Sequence, residues 1–145
     1  MAGPYSNLVD LKKYIPADII MQLTDDNNIG TIITETVDDA INQADNIIDA
    51  YMRGRYPYEM ATADVPAFIN DISVKLTAYN LYRRKLQATL PEAIMNDYKL
   101  SLQMLKDIQA GKITPWASSS EPTVVLSNCD SDTKKYSKTK WREYE

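Results

Sequence analysis

Histidine is absent from the 145-residue chain, which removes the side chain most often used as a general base or metal ligand near neutral pH. Cys129 is the one cysteine, so neither an internal disulfide nor a Cys–His catalytic pair can form. Asp45 and Asp49 stand one helical turn apart. Such a pair does acid–base work when burial raises one pKa. Their face reads as polar, and Asp49 stands four residues before Arg53, so a solvated ion pair is predicted instead. Asp25-Asp-Asn-Asn-Ile-Gly30 opens like a calcium loop, but counting from Asp25 the fifth and twelfth positions are Ile29 and Thr36. An oxygen ligand and a carboxylate are needed there, so the segment is predicted to be a turn. Arg53-Gly-Arg55 and Arg83-Arg-Lys85 are short basic clusters. Phosphate contact explains them, and so do helix-end charges and interface salt bridges. No phosphate-cradling loop, dinucleotide-binding glycine pattern or zinc spacing occurs. No enzyme activity, cofactor or metal is expected.

Something must position these side chains, and the chain is long enough for one domain with a real core. It is 44% hydrophobic and 25% charged, with a net charge of −4. The charge is unevenly spread. Residues 1–52 hold nine acidic residues against Lys12 and Lys13, whereas Lys134, Lys135, Lys138, Lys140 and Arg142 crowd the last twelve. An acidic front and a basic tail can attract one another between neighbouring copies. The opening MAGPYSNLVDLKKYI has no apolar core of a signal peptide, and no stretch approaches a membrane span. A protein made in the cytoplasm, with no membrane partner, is expected.

The hydrophobic spacing predicts helices. A short one is expected over Leu8–Tyr14, ended by Pro16. A second short helix follows in PADIIMQLT, with Ile19, Ile20 and Leu23 inward. Thr36-Val-Asp-Asp39 has capping-box spacing ahead of Val37, Ala40, Ile41, Ala44, Ile47, Ile48 and Tyr51, and that helix is expected to stop near Tyr56. Asp64 is a candidate N-cap for a helix carrying Val65, Phe68, Ile69, Ile72, Leu76 and Tyr79, with Ala78, Leu81, Tyr82 and Leu86 widening the stripe. Burial on more than one side follows. Thr89-Leu-Pro-Glu92 is a capping box for a third long helix through Ile94, Tyr98, Leu102, Leu105 and Ile108, closed by Gly111. Its short link to the preceding helix predicts an antiparallel hairpin.

Beyond Lys112 the helical stripe ends. Ser118–Ser120 and Pro122 read as linker, and Thr123–Leu126 as one short strand. Trp116, Tyr136, Trp141 and Tyr144 stand in this polar stretch, and large aromatics are favoured interface anchors. The division is therefore a helical body, 1–111, and an extended arm, 112–145. Deletion after Gly111 is expected to leave the body folded.

Several features in order resemble a known family. They are Tyr5…Asp10-Leu11 with Ile15-Pro16, and Ala44…Ile48-Asp49-Ala50-Tyr51…Arg55-Tyr56 followed by Pro57. Then come Val65-Pro66, Asp71-Ile72…Tyr79…Leu81-Tyr82-Arg83-Arg84, Tyr98…Leu105…Ile108-Gln-Ala-Gly-Lys112, and Tyr136-Ser-Lys…Trp141. This looks like the Mu-type prophage neck protein family, similar in outline to head–tail connector proteins of long-tailed phages. The resemblance implies a structural protein of the virion neck. A ring of copies, typically twelve, would dock beneath the portal protein, extend the DNA channel and offer the tail its attachment surface. A tail-side neck or terminator protein would be the other neighbour. Carried onto this chain, the arm would grip a partner through Trp116, Tyr136, Lys138, Lys140, Trp141 and Tyr144. Arg53, Arg55, Arg83 and Arg84 would be channel or interface charges close to packaged DNA.

The expectation is a mainly α fold: three long helices, one or two short N-terminal ones, and an extended arm. The function expected is a non-enzymatic head–tail connector subunit. The rival is a small cytoplasmic helical regulator that binds nucleic acid through the basic clusters. It would show salt-sensitive DNA affinity.

Overall fold

The computed structural model describes residues 4–56, 64–85 and 88–116. Among them are five helices and no strand: α1 (Leu8–Tyr14), α2 (Ala17–Thr24), α3 (Thr34–Met52), α4 (Ala67–Arg84) and α5 (Glu92–Gln109). The fold is mainly α. The expected strand at Thr123–Leu126 lies outside the described residues.

The helix starts rest less on side-chain caps than the spacing of Thr36, Asp64 and Thr89 predicts. Among the described helices only α1 has a side-chain cap: Asn7 Oδ1 accepts from the N–H groups of Val9 and Asp10, at 2.8 and 3.0 Å. Thr36, Asp64 and Thr89 cap nothing. Helix α3 begins at Thr34, two residues ahead of the expected capping box, with Ile33 as its uncapped N-cap. Helices α2, α4 and α5 each open on a proline, Pro16, Pro66 and Pro91, with φ of −54°, −60° and −60°. Proline fits there because its fixed φ presents its carbonyl to the first turn, and its own N–H is not needed. Both Ile19 and Ile20 donate to Pro16 O at 3.1 Å, and Ile69 and Asn70 donate to Pro66 O. Helix α3 ends at Met52, earlier than Tyr56, in a turn closed by Arg55 N and Tyr56 N on Met52 O.

Helix α4 is the hub and packs on all four other helices. Its buried residues, Ile69, Ile72, Ser73, Val74, Leu76, Thr77, Ala78 and Leu81, point in several directions. Two linked clusters fill the core. In one, Ala44, Ile48 and Met52 of α3 meet Ile69, Ile72 and Leu76 of α4 and Leu105 and Ile108 of α5. In the other, Val37, Ala40 and Ile41 meet Val74, Ala78 and Leu81, Ile94, and the inward faces of α1 and α2. The end of α3 thus meets the start of α4, whose start meets the end of α5, so α3, α4 and α5 run alternately up, down and up. The expected hairpin of the last two helices is present, and Tyr79 stacks on Tyr98 across it at 3.8 Å.

The end of α5 corrects the expected body boundary. Gly111 takes φ +80°, which glycine adopts without penalty, and closes the helix as its C′ residue. Lys112 N and Ile113 N then bond back to Asp107 O. That turn throws Ile113 and Trp116 onto the bundle. Trp116 is buried in the cluster of Tyr5, Ile48 and Ile69, its ring 4.9 Å from Tyr56, and its indole N–H donates to Asp64 O at 2.8 Å. The packed body therefore runs through Trp116 and does not stop at Gly111. Asp64 serves here through its carbonyl.

Candidate functional site

The structure separates the two basic clusters. Arg53 and Arg55 follow α3, beside the end of α5, where an added Cβ on Gly111 would strike the Arg55 guanidinium. Arg83 and Arg84 finish α4, at the other end of the bundle. An 18-residue helix spans about 27 Å, so the clusters cannot form one continuous basic patch. Their roles also differ. Arg84 donates to Leu23 O at 3.2 Å and forks onto the Asp26 carboxylate. That pairing holds Asp26 below the usual carboxylate range and ties α4 to the loop after α2. Lys85 donates to Gln22 O and Asp25 O across the same seam. The Arg55 guanidinium sits over the carbonyl end of α5, a favourable place for a cation. Arg53 and Arg83 are exposed and make no ion pair among the described residues.

Arg83 borders an open groove between α3 and α4. Thr36, Asp39 and Gln43 of α3 face Asn80, Arg83 and Arg84 of α4 across about 600 Å³. Asn80 Nδ2 reaches Ala40 O at 3.3 Å on its floor. The lining is open and polar, with no nucleophile–base pair in it.

The acidic loop is a turn, as its spacing predicts. The Asp25 carboxylate accepts from Gly30 N at 2.6 Å and Asn27 N at 3.1 Å. These backbone donors, with that of Ile29 foremost, hold its pKa below the ordinary value.

The Asp45–Asp49 pair overturns its expectation. Asp49 does not bond Arg53; it accepts from the Tyr5 hydroxyl. Asp45 is not solvated: it is 4% exposed. Burial pushes its pKa up to about 6, against the Ser73 hydroxyl and the Tyr5 backbone, and the Asp49 charge pushes it further. The segment before α1 crosses this face and dries it, an arrangement that helical spacing alone does not reveal. A signal was present: Asp45 follows Ile41 by four and precedes Ile48 by three, inside the apolar stripe. Ser73 likewise interrupts the stripe of α4.

Of the aromatic residues assigned to the arm, Trp116 is an internal anchor, bonded to Asp64 O and tilted against Tyr56 within the body. Tyr136, Lys138, Lys140, Trp141 and Tyr144 lie outside the described residues. The described residues hold no cluster of three or more carboxylate or cysteine side chains able to bind a metal. No described helix is long and apolar enough to cross a membrane.

A family model described as Bacteriophage Mu, Gp36 matches residues 5–128. The chain belongs to that family. The match covers all five helices, including Tyr5 and Trp116, and continues past the described body. Membership supports a structural or morphogenetic protein of a phage. No curated protein matches the chain.

Proposed function

We propose that this chain is a head–tail connector subunit. Copies of it form a ring beneath the phage portal, bundle against bundle, and the ring prolongs the DNA channel and receives the tail. The observation that carries the reading is the family match along residues 5–128. The geometry supports it in two ways. A closed ring needs heterologous contacts, with two unlike faces on each subunit. The bundle offers them: α3 exposes Glu35 and Asp39, whereas α5 exposes Lys99 and Lys106 beside Leu100, itself 48% exposed. The division of labour among the arginines also fits. Arg84 and Arg55 serve the fold, which leaves Arg53 and Arg83 for a neighbour or for packaged DNA.

In this reading the chain beyond Trp116 supplies the grip on the portal or on a tail-side protein, with Tyr136, Lys138, Lys140, Trp141 and Tyr144 as anchors. DNA passes nearby without being read, since a channel needs no base contacts. The test is complementation of particles. A phage lacking this chain should yield DNA-filled heads and free tails that do not join, and the purified protein should restore joining. Heads and tails that join without it would refute the proposal.

A further inference from the structure

The segment before α1 is fastened by a polar chain that ends on a buried carboxylate. Tyr5 and Ser6 are 1% and 4% exposed. The hydroxyls of Ser6 and Ser73 lie 2.7 Å apart, and Ser73 Oγ donates to Asp45 Oδ1 at 2.8 Å. Ser73 has one hydroxyl proton and gives it to Asp45, so Ser6 is the donor to Ser73. Beside this chain, Tyr5 donates its hydroxyl to Asp49, and its carbonyl accepts from Asn70 Nδ2 at 2.8 Å. Asn70 Nδ2 also reaches Asp10 Oδ2 at 3.1 Å, joining the segment to α1. The chain stops at Asp45 Oδ2, which is buried and has no hydrogen-bond partner among the described residues.

Burial, first, and the Asp49 charge make ionisation of Asp45 unfavourable, and they outweigh the two donors that favour it, the Ser73 hydroxyl and the Tyr5 backbone. On its own helix the neighbour is Asp49, a like charge. The N-terminal segment brings the Tyr5 backbone and the Ser6 hydroxyl, and the Tyr5 phenol lies on Asp49. Helix α4 brings the Ser73 hydroxyl. No lysine or arginine contributes at Asp45. An ionised carboxylate here keeps one dry oxygen and a repulsive neighbour, whereas a neutral one costs far less to bury.

We propose that residues 4–7 form a releasable strap, docked over α3 and α4 when Asp45 is protonated and lifted when it ionises. Lifting the strap brings water to Asp45 and Asp49 together. It leaves the α3–α4 seam closed, because Ala44, Ile48, Ile72 and Leu76 pack across that seam. The strap is continuous with α1 through Asn7, so its release frees the entry to the first helix without unmaking the bundle.

The direction with pH is set by the two states. With Asp45 near 6 when docked and near 3.8 when solvated, the opening constant rises between those values and then levels. The span of about two units corresponds to about a hundredfold. Hydrogen exchange on the full chain, corrected for intrinsic rates, reads this directly. Amides of residues 5–7 should open about a hundredfold more at pH 7 than at pH 4, while those of Ile72 and Leu76 stay protected. Asp45→Asn keeps an acceptor for Ser73 without the charge, and should make the strap amides indifferent to pH. Should that variant fail to fold, the Asp45 carboxyl carbon can be titrated by NMR in the wild type, with a midpoint near 6 expected. Three results would each overturn the strap: protection of residues 5–7 unchanged by pH, opening of the α4 amides together with them, or an Asp45 midpoint near 4.

Discussion

Replacing Trp116 by alanine should unfold the protein far more easily than an arm residue has any right to. The indole is 9% exposed, lies against Tyr56 at 4.9 Å and shares a cluster with Ile48, Ile69 and Ile108. Truncating a buried tryptophan to alanine costs about 3–5 kcal/mol. The ring keeps an exposed edge and the site can relax, so about 3 kcal/mol is expected. Loss of the N–H bond to Asp64 O belongs within that figure, at about 1 kcal/mol. Trp116→Phe, which keeps a ring and loses the bond, should therefore cost only about 1–1.5 kcal/mol. Deletion after Gly111 removes Ile113 as well and should cost at least as much as the alanine. A chain ending at Trp116 keeps the whole described core and should match the full chain. Urea unfolding followed by far-UV circular dichroism measures each value. At an m of about 1–3 kcal/mol/M, the alanine variant should lose about 1–3 M in midpoint. If Trp116→Ala stays within 0.5 kcal/mol of wild type, as a deletion after Gly111 then should too, the tryptophan is not part of the core and the reasoning fails.

Three more outcomes follow from the same packing. Asn7→Ala removes the one side-chain helix cap among the described residues and should lower stability by about 1 kcal/mol, read by thermal or urea unfolding. Gly111→Ala forces a Cβ into a φ of +80° and against the Arg55 guanidinium, and should cost about 1–2 kcal/mol, whereas Gly54→Ala, with open space around it and no positive φ, should be neutral or slightly stabilising on the same assay. Asp45 should give stability a pH slope opposite to that of an ordinary paired carboxylate. Its folded pKa near 6 exceeds the unfolded 3.8, so the native state holds the extra proton. Its stabilisation is complete below about pH 4 and is lost by about pH 6.5, by up to about 3 kcal/mol. Asp45→Asn should remove that slope, and the difference between the two urea midpoints plotted against pH tests it.

The long helices were legible because their apolar residues recur at three and four, and the two short ones because Pro16 divides them. What sequence spacing could not show was which polar residues the tertiary structure would enclose. Asp45 and Ser73 fall on the apolar stripes of α3 and α4, but only the segment before α1 decides whether that face is dry. The caps read at Asp64 and Thr89 were misleading for a local reason. Proline carbonyls can open a helix as well as a serine or threonine side chain can, and Pro66 and Pro91 took that place. Helix α3 instead starts two residues before Thr36, on Ile33. The body boundary at Gly111 followed helical periodicity, which cannot register a side chain that folds back after the helix ends; Trp116 does so. Among the basic residues, the sequence displayed two similar clusters. Their separation to opposite ends of the bundle, and the engagement of Arg84 by Asp26, arise from the antiparallel course of α3 and α4.

The central claim concerns assembly, and the mass of the full-length protein in solution tests it most directly. Light scattering should be run on the purified protein alone and after mixing with portal complexes. The account predicts a closed ring on its own or a ring that forms when the portal is added. A stable monomer whose mass is indifferent to the portal would contradict it.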